Sequence, residues 1–227
     1  MSKFLAPHFY EISTDALSGI AEMGIEFLVT HMPFDTWYGY EPRIECGPFS
    51  LTGPSNASNP VYYGGYITWG DYEFFNCVTE IRDDGGYEWF PEGGSAELNN
   101  TTIARGVRHL KRSLNSMVLS TLFTHELYLD MPDEDWRYIL EQITQAINPY
   151  NPEYVSMDYA VQYIRARNNI SITGVSFDAN NIDITYTGQN DMDTKCYVFN
   201  ESDDIITHTL VLLPQINSAS STISVMK

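Results

Sequence analysis

The side chains best suited to chemistry in this sequence are histidines, carboxylates and a tryptophan that closely follow predicted strands. Reactive side chains in α/β sheets and barrels gather at the carboxyl ends of parallel strands, so we expect these residues on one face. Histidine suits proton transfer because its pKa lies near neutrality and a neighbouring carboxylate raises it. A histidine at a strand end is also commonly a hydrogen-bonded residue at the sheet rim. The candidates are His8, His31, Asp35, Trp37, His125 and Glu126.

The strands that would position these residues are interleaved with helices. Nearly all-apolar runs at 25–30 and 118–124 predict buried parallel strands, and each ends directly before a histidine. Apolar residues at helical spacing predict helices at 102–117 and from 132 onward. The shorter predicted elements are a strand at 4–6, a helix at 13–23, a strand at 153–156 and a helix at 158–167. This alternation favours parallel strands with right-handed crossovers, which is an α/β fold.

A long segment at about 38–101 interrupts this alternation and is rich in proline, glycine and aromatic residues. It contains two strand-like runs, 61–69 and 73–81, and a turn signal follows the second at 83–86. Aromatic faces stack well on sugar rings, and an ordinary aromatic core is an equally good interpretation. The rings in question are Tyr62, Tyr63, Tyr66, Trp69, Tyr72, Tyr87 and Trp89.

The pattern changes at Asn169 from helices to short alternating strands. Five such runs predict a small all-β sandwich over residues 169–227, after a first domain at 1–168. His208 lies within this sandwich, and we expect it to be structural. The predicted strands are 170–177, 182–187, 195–200, 205–213 and 221–225.

Composition excludes several classes of protein. The chain has 227 residues, with 43% hydrophobic and 14% aromatic residues, which indicates a folded protein rather than a disordered one. Its formal net charge of -18 disfavours nucleic acid and anionic membranes as partners. No stretch approaches the roughly 20 apolar residues that a membrane span needs.

Several features favour an extracellular or cell-surface location, although no secretory signal is visible at the amino terminus. The chain has three cysteines, and Cys46 and Cys77 either form a disulfide in an exported protein or are buried as small apolar residues. Asn-x-Ser/Thr patterns suggest a glycoprotein, although an asparagine-rich chain also produces them by chance. They occur at Asn56, Asn99, Asn100, Asn169 and Asn200.

Several segments resemble the polysaccharide deacetylases of the glycoside hydrolase/deacetylase (β/α)-barrel superfamily. The resemblance covers residues 4–37 and 102–167, which correspond to the second half of such a barrel. It implies a partial (β/α) barrel with the insertion at about 38–101, followed by the sandwich. The segments that carry it are Ala6–Tyr10, Ala16–Met23, Phe27–Thr30, Asp35–Trp37, Leu122–Glu126 and Tyr154–Ala160.

The resemblance also implies roles for individual residues. His125 looks like the general acid that protonates the leaving amine when an N-acetyl group is removed. Asp35 and Trp37 look like the pair that orients and packs beside a catalytic histidine. The resulting prediction makes His125 and Asp35 catalytic, and the substrate-binding residues are His8, Trp37, His31 and Glu126.

The metal ligands of that family are missing from this chain. The family holds its metal with an Asp-Asp motif and a His-x-x-x-His motif, and the sequence contains no His-x-x-x-His. Asp83-Asp84 lies in a glycine turn and Asp203-Asp204 lies in the sandwich. We therefore expect no cofactor in this chain alone, and a divalent metal such as zinc only if ligands come from elsewhere.

Three functions follow from these observations. The first is the carboxyl-terminal part of a secreted carbohydrate-active enzyme, whose partner is a polysaccharide or glycan. The second is a non-catalytic carbohydrate-binding protein, and the third is a self-assembling cell-surface or filament protein. Half a barrel leaves exposed strand edges, so the insertion, another chain or a second copy must cover them.

Overall fold

The computed structural model describes residues 2–6, 12–28, 65–76, 91–115, 122, 130–217 and 220–226. The chain divides into two compact units, Met1–Ser156 and Met157–Lys227. The helices are α1 (Leu17–Glu22), α2 (Ala96–Asn115), α3 (Asp133–Ile147) and α4 (Met157–Asn168). The strands are β1 (Phe4–Leu5), β2 (Phe27–Leu28), β3 (Gly65–Trp69), β4 (Tyr72–Asn76), β5 (Ile170–Phe177), β6 (Asn181–Gly188), β7 (Thr194–Ser202), β8 (Ile205–Leu213) and β9 (Ser221–Met226).

The first unit contains a four-stranded sheet in the order β1-β2-β4-β3. Strands β1, β2 and β4 are parallel, and β3 pairs antiparallel with β4. One face of the sheet packs Leu28 and Phe74 against Leu17 and Ile20 of α1. On β2 and β4, Phe27 and Phe75 are also buried, so this part of the sheet is apolar on both sides.

The same unit contains two helices, α2 and α3, that pack side by side and run in the same direction. Ile139, Ile143 and Ile147 of α3 pack with Leu110 of α2 to form their shared core. The amino-terminal ends are joined through the Asp135 carboxylate, which accepts hydrogen bonds from the Gly94 N–H (2.8 Å) and the Asn99 amide (2.6 Å). Helix α2 begins six residues earlier than the sequence predicts, where the Ser95 hydroxyl accepts a hydrogen bond from the backbone of Leu98 (3.2 Å).

The second unit packs two small antiparallel sheets around one apolar core. One sheet has the order β5-β6-β9, and the other is the β7–β8 hairpin. Ile184 and Tyr186 of β6 pack with Val211 and Leu213 of β8, which places the core between the sheets. Tyr186 is fully buried, and its hydroxyl donates a hydrogen bond to the Pro214 carbonyl (3.1 Å). The five predicted strands of this region are confirmed to within two residues at each end.

The predicted partial (β/α) barrel is wrong. The parallel strands of the described residues are two to five residues long, and their sheet ends in an antiparallel strand instead of curving into a barrel. No strand forms at the predicted 153–156, and α2 and α3 bury their apolar faces against each other. Helical periodicity shows that one face is buried but not what covers it, and this is why the pattern was compatible with a barrel.

Helix α4 belongs to the second compact unit. Its residues Ala160, Val161 and Ile164 are buried, and the hydroxyl of Tyr163 accepts a hydrogen bond from the Lys195 N–H of β7 (3.1 Å). Packing shows which segments lie together but not which segments fold alone. The predicted domain boundary at 168/169 therefore stays a prediction.

Candidate functional site

The six residues predicted from the sequence to form the site all lie outside the part of the chain that the structure describes. Whether they share one face therefore stays a prediction, and so does a Cys46–Cys77 disulfide. The residues concerned are His8, His31, Asp35, Trp37, His125 and Glu126.

Metal ligands do not converge anywhere in the described ranges, where no group of three or more His, Cys, Asp or Glu side chains could hold an ion. Asp203 and Asp204 form the turn between β7 and β8, with φ angles of 51° and 63°. These left-handed angles are typical of a tight hairpin turn, where aspartate is favoured. The conformation of the turn therefore explains why aspartates occupy both positions.

A candidate binding surface is present at the end of the β3–β4 hairpin. Trp69 is the last residue of β3, and it lies directly opposite Tyr72, the first residue of β4. Trp69 is 52% exposed, although an indole is the largest of the aromatic side chains. Asp71 is exposed in the turn between this pair, whereas Glu73 pairs with Thr68 and is exposed on the other face of the hairpin. The hairpin end thus combines an accessible aromatic surface with a carboxylate in the turn that can accept hydrogen bonds.

The hairpin holds these residues on a well-anchored element. Gly70 has a φ of 58°, which glycine adopts without strain in the turn between the two strands. Phe74 and Phe75 of β4 are buried on opposite faces of the sheet. The Tyr66 ring packs edge-on against Phe75, with ring centroids 5.1 Å apart. Because both faces are anchored, the turn presents Trp69 in a defined position.

A second candidate surface is the face of the β7–β8 hairpin that points away from the core. We call it the β7–β8 outer face. Its rings are in mutual contact: Tyr197 lies 6.0 Å from Phe199 and 5.5 Å from His208, measured between ring centroids. The face consists of four cross-strand pairs, Lys195–Leu212, Tyr197–Leu210, Phe199–His208 and Glu201–Ile206.

The comparisons with other proteins add no relative. No protein-family model, curated protein or solved structure matches this chain. Across the described residues, every helix is too short or too polar to cross a membrane.

Two half-buried ionisable groups of the second unit, Cys196 and Tyr163, are unsuited to nucleophilic chemistry. Burial raises the pKa of the Cys196 thiol, which disfavours the thiolate that attacks substrates or binds metals. Burial likewise raises the pKa of Tyr163, and its hydrogen bond from the Lys195 backbone opposes this shift only in part. Both groups are neutral near pH 7 and contribute to packing.

The sequence pattern did not single out the β7–β8 outer face, and His208 on this face was expected to be structural. A signal was nevertheless present in β7. Its positions alternate between Cys196 and Val198 on one side and Tyr197 and Phe199 on the other, so both faces are apolar. A strand with one face in water normally alternates apolar and polar residues. Apolar residues on both faces of β7 therefore indicate that each face packs against other apolar groups, in this chain or in a partner.

Proposed function

We propose that this protein binds carbohydrate and that Trp69, at the end of the β3–β4 hairpin, is the residue that stacks on a sugar ring. The exposed position of the Trp69 indole is the observation that supports this most strongly. An indole face binds the apolar face of a sugar and loses little conformational entropy, since its side chain has two rotatable bonds. The cross-strand neighbour Tyr72 extends the aromatic surface.

The groups around Trp69 favour a sugar over a purely apolar ligand. Asp71 is exposed in the adjoining turn, and a carboxylate accepts hydrogen bonds from sugar hydroxyl groups. The net charge of -18 repels uronic acids and sulfated glycans, so neutral or amino sugars fit best. The β7–β8 outer face is less suitable, because its two charges lie at its ends and most of its side chains are large and apolar.

Replacing Trp69 with alanine should weaken glycan binding about tenfold or more, since the stacking surface is lost. Isothermal titration with N-acetylglucosamine oligomers, their deacetylated cationic counterparts and a neutral β-glucan would measure the change. Tyr154→Ala is the matched control, because Tyr154 is an exposed aromatic residue elsewhere in the same unit. Equal affinity of Trp69→Ala and wild type, or no binding of any glycan by wild type, would contradict the proposal.

The resemblance to polysaccharide deacetylases supports a catalytic extension of the same function, with His125 as the general acid. The residues present do not fit the metal set of that family, because the sequence has no His-x-x-x-His motif. We therefore expect this chain alone to release no acetate from the same N-acetylated oligomers, with or without added zinc. Metal-dependent acetate release that His125→Ala abolishes would show that another ligand set exists.

A further inference from the structure

The β7–β8 outer face is an apolar surface exposed to solvent. Five of its eight side chains are large and apolar, and each of them is between 45% and 68% exposed. They lie on two strands in continuous antiparallel register, so they form one patch rather than scattered residues. Contiguous exposed apolar patches of this kind mark interaction surfaces in soluble proteins. The five are Tyr197, Phe199, Ile206, Leu210 and Leu212.

Opposite charges lie at the two ends of this patch. Lys195 and Glu201 are both on β7, six residues apart and therefore on the same face of the strand. Tyr197 and Phe199 occupy the two positions between them. Position 198 is the midpoint of both pairs, Lys195 with Glu201 and Tyr197 with Phe199. A two-fold rotation (180°) about an axis through this midpoint therefore exchanges the positions of the two charges. It also exchanges the positions of the two aromatic rings.

We propose that a second copy of this chain docks on the β7–β8 outer face and forms a two-fold symmetric dimer. In an isologous interface, residue i contacts residue j of the second copy and residue j contacts residue i. With the two β7 strands antiparallel, Lys195 of each copy meets Glu201 of the other, and Tyr197 meets Phe199. The β7–β8 outer face is thus complementary to itself, both in charge and in the stacking of its rings. A second copy of the chain is therefore the partner that fits this face best.

The size of the face predicts a weak dimer. A two-stranded, nine-residue face measures about 30 Å by about 10 Å, so two copies bury roughly 600 Å² in total. Such an area lies at the transient end of protein–protein interfaces. The two-fold arrangement uses the same face on both copies and closes on itself. It therefore produces a dimer and not a filament.

Charge reversal tests the proposed register directly, with surface substitutions that leave the core intact. Sedimentation velocity from about 1 μM to about 500 μM, at about 0.15 M salt to screen the net charge, should show a concentration-dependent wild-type dimer. Lys195→Glu and Glu201→Lys should each raise the dimer dissociation constant about tenfold or more. The double variant carrying both substitutions restores opposite charges and should recover dimerisation.

The controls separate this face from the other exposed apolar residues of the unit. Ile172→Ser removes an exposed side chain of β5 and should leave the dissociation constant unchanged. Phe199→Ser should prevent association. A monomer across the whole concentration range would overturn the proposal, as would a double variant no better than the single variants or a dimer lost in Ile172→Ser. All of these residues lie in the second unit, so a wild-type far-ultraviolet circular dichroism spectrum of each variant serves as the check that this unit is folded.

Discussion

Replacing Gly188 with alanine is expected to destabilise the β5–β6 pair strongly. Gly188 has a φ of 130°, a conformation that side chains with a Cβ rarely adopt. An added Cβ would lie 2.0 Å from the carbonyl oxygen of Asn169, which already accepts a hydrogen bond from the Gln189 N–H (3.2 Å). Backbone strain and overpacking together should lower the free energy of unfolding of this unit by about 3 kcal/mol or more.

Gly174→Ala is the matched control for this substitution in the same sheet. A Cβ at Gly174 meets only the Thr185 side chain, at an ordinary contact distance of 3.7 Å. Hydrogen exchange by mass spectrometry over residues 170–188 would measure the opening free energy of both variants. We expect fast exchange in Gly188→Ala and near-wild-type protection in Gly174→Ala. Equal protection in the two variants would refute the steric argument.

Replacing Tyr186 with alanine is expected to lower the free energy of unfolding of the same unit by about 3–5 kcal/mol. Tyr186 is fully buried between the two sheets, so its removal leaves a cavity where β6 contacts β8. The Pro214 carbonyl also loses its hydrogen bond from the tyrosine hydroxyl. Tyr186→Phe keeps the ring and loses only this hydrogen bond, so its expected cost is about 1 kcal/mol.

The location of the tryptophans allows the two units to be monitored separately. All four tryptophans lie within residues 1–156, so their fluorescence reports only the first unit. Urea unfolding by circular dichroism should show an early transition in Tyr186→Ala, while the tryptophan transition stays at its wild-type midpoint. Tyr154→Ala, at a residue 69% exposed, should change neither. A wild-type circular dichroism profile for Tyr186→Ala would show that Tyr186 does not support this core.

The Tyr186→Ala substitution also tests whether the proposed dimer depends on the core of the second unit. The β7–β8 outer face keeps its shape because the opposite side of the hairpin packs on β6, through Val211 and Leu213. Loss of the Tyr186 contact should therefore weaken association as well as folding. Because the charge variants at Lys195 and Glu201 spare this core, they separate a lost interface from a lost fold.

Local patterns in the sequence predicted most of the individual elements. The strands of residues 170–226 followed from their β-branched and aromatic runs and from the turns between them. The helix at 133–147 followed from apolar spacing, and the helix predicted at 158–167 is observed at 157–168. Ser13 begins the turn before α1, and Gly24, with a φ of 75°, follows its end. These signals are readable because each depends on residues only a few positions apart.

Tertiary structure alone decided what these elements pack against. The apolar stripes of α2 and α3 were compatible with a barrel, yet the two helices cover each other. In β7, apolar residues on both sides could not reveal that Cys196 and Val198 face the core while Tyr197 and Phe199 face solvent. Burial is a property of partners distant in the sequence, and the hydrophobic effect rewards any partner that removes apolar surface from water. Periodicity therefore determined the elements, and long-range packing chose among the arrangements that could bury them.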